Sequence, residues 1–319
     1  MLQFPPLPQD FVCPLPQLGL VSVSGTDKIT YLQSQLTQDL TRYFSEPASA
    51  QTALACHCDA KGKIWAVYRL VAWQESLLLL ADKSALPRSL AELKKYGVFS
   101  KVDIAMQSAL EAFGGQGPRL QAWIIDQFDK LPDAQTPVVS QDKGVAIYLP
   151  APSPRYLLLL TEKCAIELKQ QLEPLLASAN LWTLLDIRAC EPVICESTQA
   201  EFIPQMLNMH VLDAISFKKG CYMGQEVVAR AKYLGRNKRA AFVLGAETLL
   251  KLAPGELLES RAGDNWRPGG TVLSCATWKE QTWLIAVLAN DTPAGEQLRS
   301  KSYPETLLEV QPLPYQLEV

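Results

Sequence analysis

The chain has 319 residues, of which 48% are hydrophobic and 20% charged, with a formal net charge of −3. That length suits two or three domains of a soluble globular protein, and the acidic balance excludes a general nucleic-acid coat protein. The apolar runs are far too short for a membrane span, and two histidines, His57 and His210, leave little for a His-based zinc site or a Ser-His-Asp triad.

No basic residue precedes Lys28, so neither a secretory signal nor a transit peptide is predicted, and a cytoplasmic location is expected. The eight cysteines (13, 56, 58, 164, 190, 195, 221 and 275) show no disulfide framework and read as reduced thiols. Residues 1–19, rich in proline, read as an extended arm. Leu20 to Ser24 alternates as a strand, and Thr26 or Asp27 is placed to cap a helix from Lys28 to Leu36. The polar end of that helix, Gln33 to Asp39, is expected at the surface. Residues 53–73 read as a β-hairpin turning at Asp59-Ala60-Lys61-Gly62. Its Cys56-His57-Cys58 has no matching second pair, so a metal site is not assigned there. A strand over Leu77–Ala81, a helix over Leu86–Tyr96 ended by Gly97, and a strand over Val98–Ile104 follow. Residues 114–118 read as a loop without the surroundings of a phosphate cradle. Gly144–Leu149 and Tyr156–Leu160 read as paired strands, and Cys164–Leu176 as an amphipathic helix.

Ser216 to Arg239 is different in kind. It holds Lys218, Lys219, Arg230, Lys232, Arg236, Lys238 and Arg239 against one acid, Glu226. A basic island of net charge +6 on an acidic chain suggests a place for an anionic partner. Cys221 follows two lysines and Gly220, and a helix is predicted from Gly224 to Tyr233. Cationic neighbours and a helix N-terminus both favour a thiolate. The pattern fits equally well a solvated basic helix beside a buried structural cysteine. Beyond Arg239, short strands at Ala241–Gly245, Gly255–Leu258, Gly270–Ala276, Gln281–Leu288 and Leu307–Val310 have the spacing of a small antiparallel barrel or sandwich. A domain boundary is expected near residue 240, giving units 1–239 and 240–319.

Lys219-Gly220-Cys221-Tyr222-Met223-Gly224-Gln225-Glu226 resembles the signature of the YgfZ family. Phe202-Ile203-Pro204-Gln205, Asn208, Cys58 to Lys63, Leu93 to Tyr96, Val98 to Val102 and Pro312 to Tyr315 resemble it too. The likeness spans nearly the whole chain. It implies an α+β fold similar to the T-protein of the glycine cleavage system: a two-lobed folate-binding region and a C-terminal antiparallel β-barrel. It implies tetrahydrofolate, or a folate derivative, as ligand. It also implies an accessory role supporting iron–sulfur enzymes that modify tRNA by methylthiolation, with a regulatory link to replication initiation; the acidic balance and the lack of coiled-coil heptads point to a monomer. On this reading Cys221 is the functional thiol, assisted by Lys218 and Lys219. Tyr222, Gln225, Glu226 and Arg230 are placed with the ligand, and Arg230, Lys232 and Arg236 attract folate's glutamate tail or a protein partner. Of two tryptophans that the family associates with folate, one matches Trp182, which reads equally as core, and the other falls at Leu18, which lacks a ring. The T-protein carries an aspartate shortly after its equivalent of the hairpin turn, whereas no acid occurs here between Asp59 and Glu75. Aminomethyl transfer is therefore disfavoured, a folate-dependent one-carbon transferase or demethylase stands as the alternative, and direct tRNA binding by the basic island is a third reading.

Overall fold

The computed structural model describes residues 2–45, 50–233, 235 and 237–317. Where an extended arm is expected, Phe11, Val12 and Cys13 are buried and form β1 (Phe11–Pro14), ahead of β2 (Leu18–Ser24). The helix α1 (Lys28–Gln33) stops three residues short of the expected Leu36. Asp27 stands at its N-cap, but its Oδ2 accepts the Lys101 N–H at 2.8 Å instead of capping the helix. A single turn, α2 (Thr41–Phe44), leads to the hairpin of β3 (Thr52–Cys58) and β4 (Ile64–Trp73). Then come β5 (Ser76–Asp82), α3 (Leu86–Gly97) and β6 (Asp103–Gln107). The last strand begins five residues later than its pattern suggests, because Val98 and Phe99 lie in an exposed loop. These strands make an antiparallel sheet in the order β3-β4-β5-β2-β6. Tyr31 and Leu32 of α1 and Leu86 and Leu93 of α3 pack on its outer face with Tyr68 and Leu79.

The second lobe consists of β7 (Leu110–Gln116), α4 (Pro118–Phe128), β8 (Val138–Gln141), β9 (Gly144–Leu149), β10 (Arg155–Thr161) and α5 (Glu162–Gln171). Its sheet runs β1-β7-β10-β9-β8. Gly114 and Gly115 read as loop residues but belong to β7, since a Cβ on Gly114 would lie 2.2 Å from the Trp182 ring and one on Gly115 would lie 2.4 Å from the Phe11 carbonyl oxygen. Close packing, not a turn, requires them. The helix expected to run to Leu176 ends at Gln171, and a 3₁₀ turn at Glu173–Leu175 takes over around Pro174, whose ring cannot continue an α-helix.

The helix α6 (Asn180–Ala189) follows, and α7 (Gln225–Tyr233) begins one residue after its predicted start. The final unit is a closed six-stranded antiparallel barrel of β11 (Arg239–Ala246), β12 (Leu257–Ala262), β13 (Asn265–Trp278), β14 (Gln281–Ala289), β15 (Gln297–Ser300) and β16 (Tyr303–Val310). The pattern missed β15. Closure removes the exposed edges that an open sheet would present. One apolar cluster joins all three units: Leu20 and Leu78 from the first sheet, Leu157 and Leu159 from the second, Leu184 and Leu185 from α6, and Val243 and Ile285 from the barrel. Each such side chain contributes about 1.5–3 kcal/mol when fully buried, so the inner faces of the two sheets and the barrel are held to α6.

Candidate functional site

The site residues fall in two places, joined by the β3–β4 hairpin. The first is a narrow cleft between the lobes, with about 70 Å³ of room for water-sized spheres, or about 510 Å³ when the open solvent at its mouth is counted. Its apolar walls come from Leu54 and Val67 on the hairpin, Leu80 on β5, and Leu149 and Leu157 on the second sheet. Leu18 and Trp182 both line it. Trp182 is only 4% exposed; Gly114 lies against its ring and the Arg155 guanidinium lies over it, 4.6 Å from the centroid. It is therefore core and cleft wall together, with little open aromatic face.

The cleft also holds charges that the sequence did not reveal. The fully buried Arg155 donates from Nη1 to Asp186 Oδ1 at 2.5 Å, from Nη2 to Glu191 Oε2 at 3.5 Å, and from Nε to the Ala151 carbonyl at 3.0 Å. Arg69 donates from Nη2 to Glu191 Oε1. Burial pushes the Asp186 carboxyl up to about 6 against the pull of Arg155. Burial acts on Glu191 in the same sense, but Arg69 and Arg155 together outweigh it and hold that carboxyl below its usual range. Arg69, Asp186 and Glu191 line the cleft, which thus has apolar sides and a polar end offering both donors and acceptors.

The second place is the hairpin tip. Asp59 Oδ1 accepts the Lys61 and Lys63 N–H groups, each at 2.8 Å, which shapes the turn. Gly224 docks directly on it: its φ is +81°, and a Cβ there would lie 2.4 Å from the Asp59 carbonyl oxygen. Gly62, at φ +70°, faces Val227 in return. Two of the stretches that carry the family resemblance therefore meet backbone to backbone. Gly220 needs no such conformation and has nothing near it.

Cys221 stands exposed on this loop, so the alternative of a buried structural cysteine does not hold. Lys219 turns inward. Its ammonium donates to the Leu36 and Gln38 carbonyls, each at 2.7 Å, and lies 5.3 Å from the centroid of the buried Tyr222 ring. Burial draws the Lys219 ammonium down to about 8, with Asp39 opposing. Burial pushes the Tyr222 phenol up. The loop over residues 34–38 is thus a socket for the Cys221 loop, not the surface expected of it: Gln35, Thr37 and Gln38 are buried. The Thr37 hydroxyl donates to the Ala214 carbonyl at 2.6 Å, and the Ser216 and Met223 N–H groups donate to the Thr37 and Ser34 carbonyls.

Gln225 is half-buried at the start of α7, and Glu226 pairs with Arg230 at 2.6 Å on its exposed face. Arg236 lies outside the described residues. Lys219, Cys221, Tyr222, Gln225, Glu226 and Arg230 are thus gathered at the tip, and none of them lines the cleft. Gln205 holds α7 from below through Nε2 to the Val228 carbonyl at 2.6 Å. Asn208, in the left-handed region at φ +58°, exchanges hydrogen bonds with both backbone groups of Ala241 and donates to the Tyr315 hydroxyl. Beside the hairpin, His57 is buried and held by the Ser89 hydroxyl at 2.7 Å. Burial draws its imidazole down to about 3 and pushes the Cys56 thiol up to about 12. Among the described residues no group of three or more His, Cys, Asp or Glu is arranged to hold a metal ion, and no helix is long and apolar enough to cross a membrane.

The two lobes, the cleft between them and the closing barrel are the architecture of the glycine-cleavage T-protein. The crystal structure of aminomethyltransferase T from Bartonella henselae aligns with 96% of this chain and 86% of its own, with a TM-score of 0.72 at 16% identity. Residues 237–302 match the family model described as YgfZ, beta-barrel domain. The tRNA-modifying protein YgfZ of Yersinia enterocolitica is 42% identical over 302 residues, covering 94% of this chain and 90% of the relative. That of Pectobacterium carotovorum is 38% identical over 320 residues, covering 98% and 95%. The chain belongs to the YgfZ family.

Proposed function

We propose that the chain binds tetrahydrofolate in the cleft between the lobes and acts as an accessory factor for iron–sulfur enzymes that modify tRNA. The observation that carries the folate reading is the cleft itself, with apolar walls and an Arg69–Glu191–Asp186 end. A pterin presents N–H donors along one edge and a carbonyl beside them. Carboxylate oxygens accept the first and a guanidinium donates to the second. The aminobenzoyl group then lies against Leu54, Leu149 and Leu157, and the glutamate tail points outward. Both carboxylates are already held by arginines, which fixes them to accept ligand hydrogen bonds. Glu191, held below its usual range, is a poor free base, whereas Asp186, raised by burial, keeps one-carbon chemistry as the second reading.

Cys221 is the functional thiol in this reading. It is exposed on a loop fixed by Lys219, Gly224 and the socket at residues 34–38, as a group that must meet a partner's sulfur, iron or disulfide requires. The link to tRNA draws on the names of the relatives; the cytoplasmic location and the monomer rest on the sequence pattern, and the connection to replication initiation on the family likeness.

Titration calorimetry with tetrahydrofolate tests the cleft. Glu191→Gln keeps the shape and removes charge-assisted bonds worth about 1.5–3 kcal/mol each, so affinity should fall roughly 10- to 150-fold. Undiminished binding in that variant overturns the placement. Complementation of a null strain with Cys221→Ala tests the thiol: full recovery of methylthiolated tRNA removes Cys221 from the mechanism.

A further inference from the structure

We propose that the exposed face at the C-terminal end of α7 binds an unpaired stretch of RNA, with Tyr233 as the stacking platform and Lys218, Lys232, Lys238 and Arg239 meeting phosphates. This goes beyond the folate reading and stands without it; only the choice of RNA as the polyanion rests on the tRNA-linked function proposed above.

Tyr233 ends α7 and is 68% exposed, an unusual condition for a ring that has apolar neighbours at hand. It is held edge-on to Phe217, with centroids 6.3 Å apart and planes at 74°. Phe217 follows Ser216, whose N–H is bonded to the Thr37 carbonyl, so the pair stands on the buried socket. Lys232 lies 4.0 Å from the Phe217 centroid. Lys218 is the exposed residue next in chain to Phe217. Lys238 and Arg239 are also exposed, on backbone tied to the barrel through Asn290 N–H to the Lys238 carbonyl and the pairing of Arg239 with Ala289. The one acid of the island, Glu226, is engaged by Arg230, so these four cations are not cancelled from within it.

An open tyrosine ring beside the Lys232–Phe217 pair and the neighbouring Lys218, with Lys238 and Arg239 a few residues further along the chain, suits a strand with splayed bases. Stacking needs an unpaired base, and lysines and arginines follow the backbone whatever the sequence. A duplex offers phosphates but no base face. An acidic peptide offers charge along its backbone but must supply an aromatic side chain of its own to stack on the ring.

The test is fluorescence anisotropy of the full chain with a labelled short RNA hairpin bearing an unpaired loop, compared with the same sequence closed into a full duplex. Four phosphate contacts predict a slope of about −2.8 in log affinity against log salt, or about 50-fold weaker binding between about 50 and 200 mM. Tyr233→Ala should weaken hairpin binding roughly 5- to 150-fold without changing that slope, while Tyr233→Phe keeps the affinity. Lys218→Gln should lower the slope by about 0.7. The proposal is overturned if Tyr233→Ala binds like the parent, if duplex and hairpin bind equally, or if a polyglutamate peptide competes as well as the hairpin; the last result would mark an acidic protein partner. Calorimetry with tetrahydrofolate on Tyr233→Ala separates the two readings, because heat of folate binding should be unchanged there whatever the RNA result.

Discussion

Lys219→Met is the perturbation that most directly examines how the Cys221 loop is held. Lys219 is 9% exposed, and its ammonium gives two hydrogen bonds to main-chain carbonyls. Burial lowers its pKa from 10.5 to about 8, so the folded state binds that proton less firmly than the unfolded chain does. Stability therefore rises with pH between about 8 and 10.5, by up to about 3 kcal/mol at 1.36 kcal/mol per unit. Methionine nearly matches the length but leaves two acceptors without a donor, a loss of about 2–3 kcal/mol in total against the neutral amine. At pH 7 that loss and the relief from burying a charge roughly offset each other, so parent and variant should unfold at nearly the same urea concentration. At pH 10.5, where half of the unfolded chain's lysine is still protonated, the parent should be more stable by about 2 kcal/mol. Other titrating groups cancel in the difference between the two proteins. A difference that is flat or shrinks from pH 7 to 10.5 refutes the reasoning and means the carbonyls hold the proton as well as water does.

The two glycines around Cys221 should behave oppositely. Gly224→Ala forces a Cβ to 2.4 Å from the Asp59 carbonyl oxygen at a left-handed φ, so thermal unfolding should drop by at least about 4 °C, a loss of about 2 kcal/mol or more. Gly220→Ala, with nothing near it, should leave the midpoint within about 1 °C. Gly114→Ala puts a methyl into the Trp182 ring, and should change tryptophan fluorescence and weaken tetrahydrofolate binding at least about tenfold as the cleft wall is pushed in.

What the sequence disclosed and what it hid divide along a physical line. The hairpin turn, α7 and five barrel strands are written in local signals: Asp-Ala-Lys-Gly at a tight turn, good helix formers after Gly224, and alternating strands between turn residues. The T-protein-like fold was accessible because the Cys221 stretch is distinctive. Hidden were features whose meaning depends on distant partners. Gly114-Gly115 looks like a loop until Trp182 and Phe11 are packed against it. Thr37 and Gln38 look like surface until the loop carrying Asp213, Ala214 and Ser216 takes up their hydrogen bonds and buries Gln35 beside them. The cleft charges were missed in the same way. A search for an acid close to the hairpin turn finds none, yet Asp186 and Glu191 arrive from α6 and the residues after it, and Arg155 and Arg69 meet them from two different sheets. An arginine on each of two strands with a carboxylate pair after a helix was the available clue, and only the fold brings the four together. Lys219 was expected to act on the thiol by its charge; its ammonium is instead occupied by two carbonyls, which makes it an anchor.

The separation of cleft and tip has a consequence for how the two halves of the proposed function relate. Leu54 and Val67 line the cleft, whereas Asp59 to Gly62 carry Gly224 and the Cys221 loop. Five residues of strand from Leu54 to Asp59 span about 17 Å. A pterin recognised by Glu191 and Asp186 is therefore expected to lie out of reach of the Cys221 sulfur, so that the thiol, on the loop docked at the hairpin tip, and the folate act as separate groups. Sites farther apart than about 10 Å without shared partners have additive effects. Cys221→Ala should leave the affinity for tetrahydrofolate unchanged, and Glu191→Gln should weaken it by the same factor in the parent and in the Cys221→Ala background. A double mutant whose affinity departs from that product by more than about twofold would mean that the tip and the cleft share a ligand, and that the tip closes onto folate instead of standing apart from it.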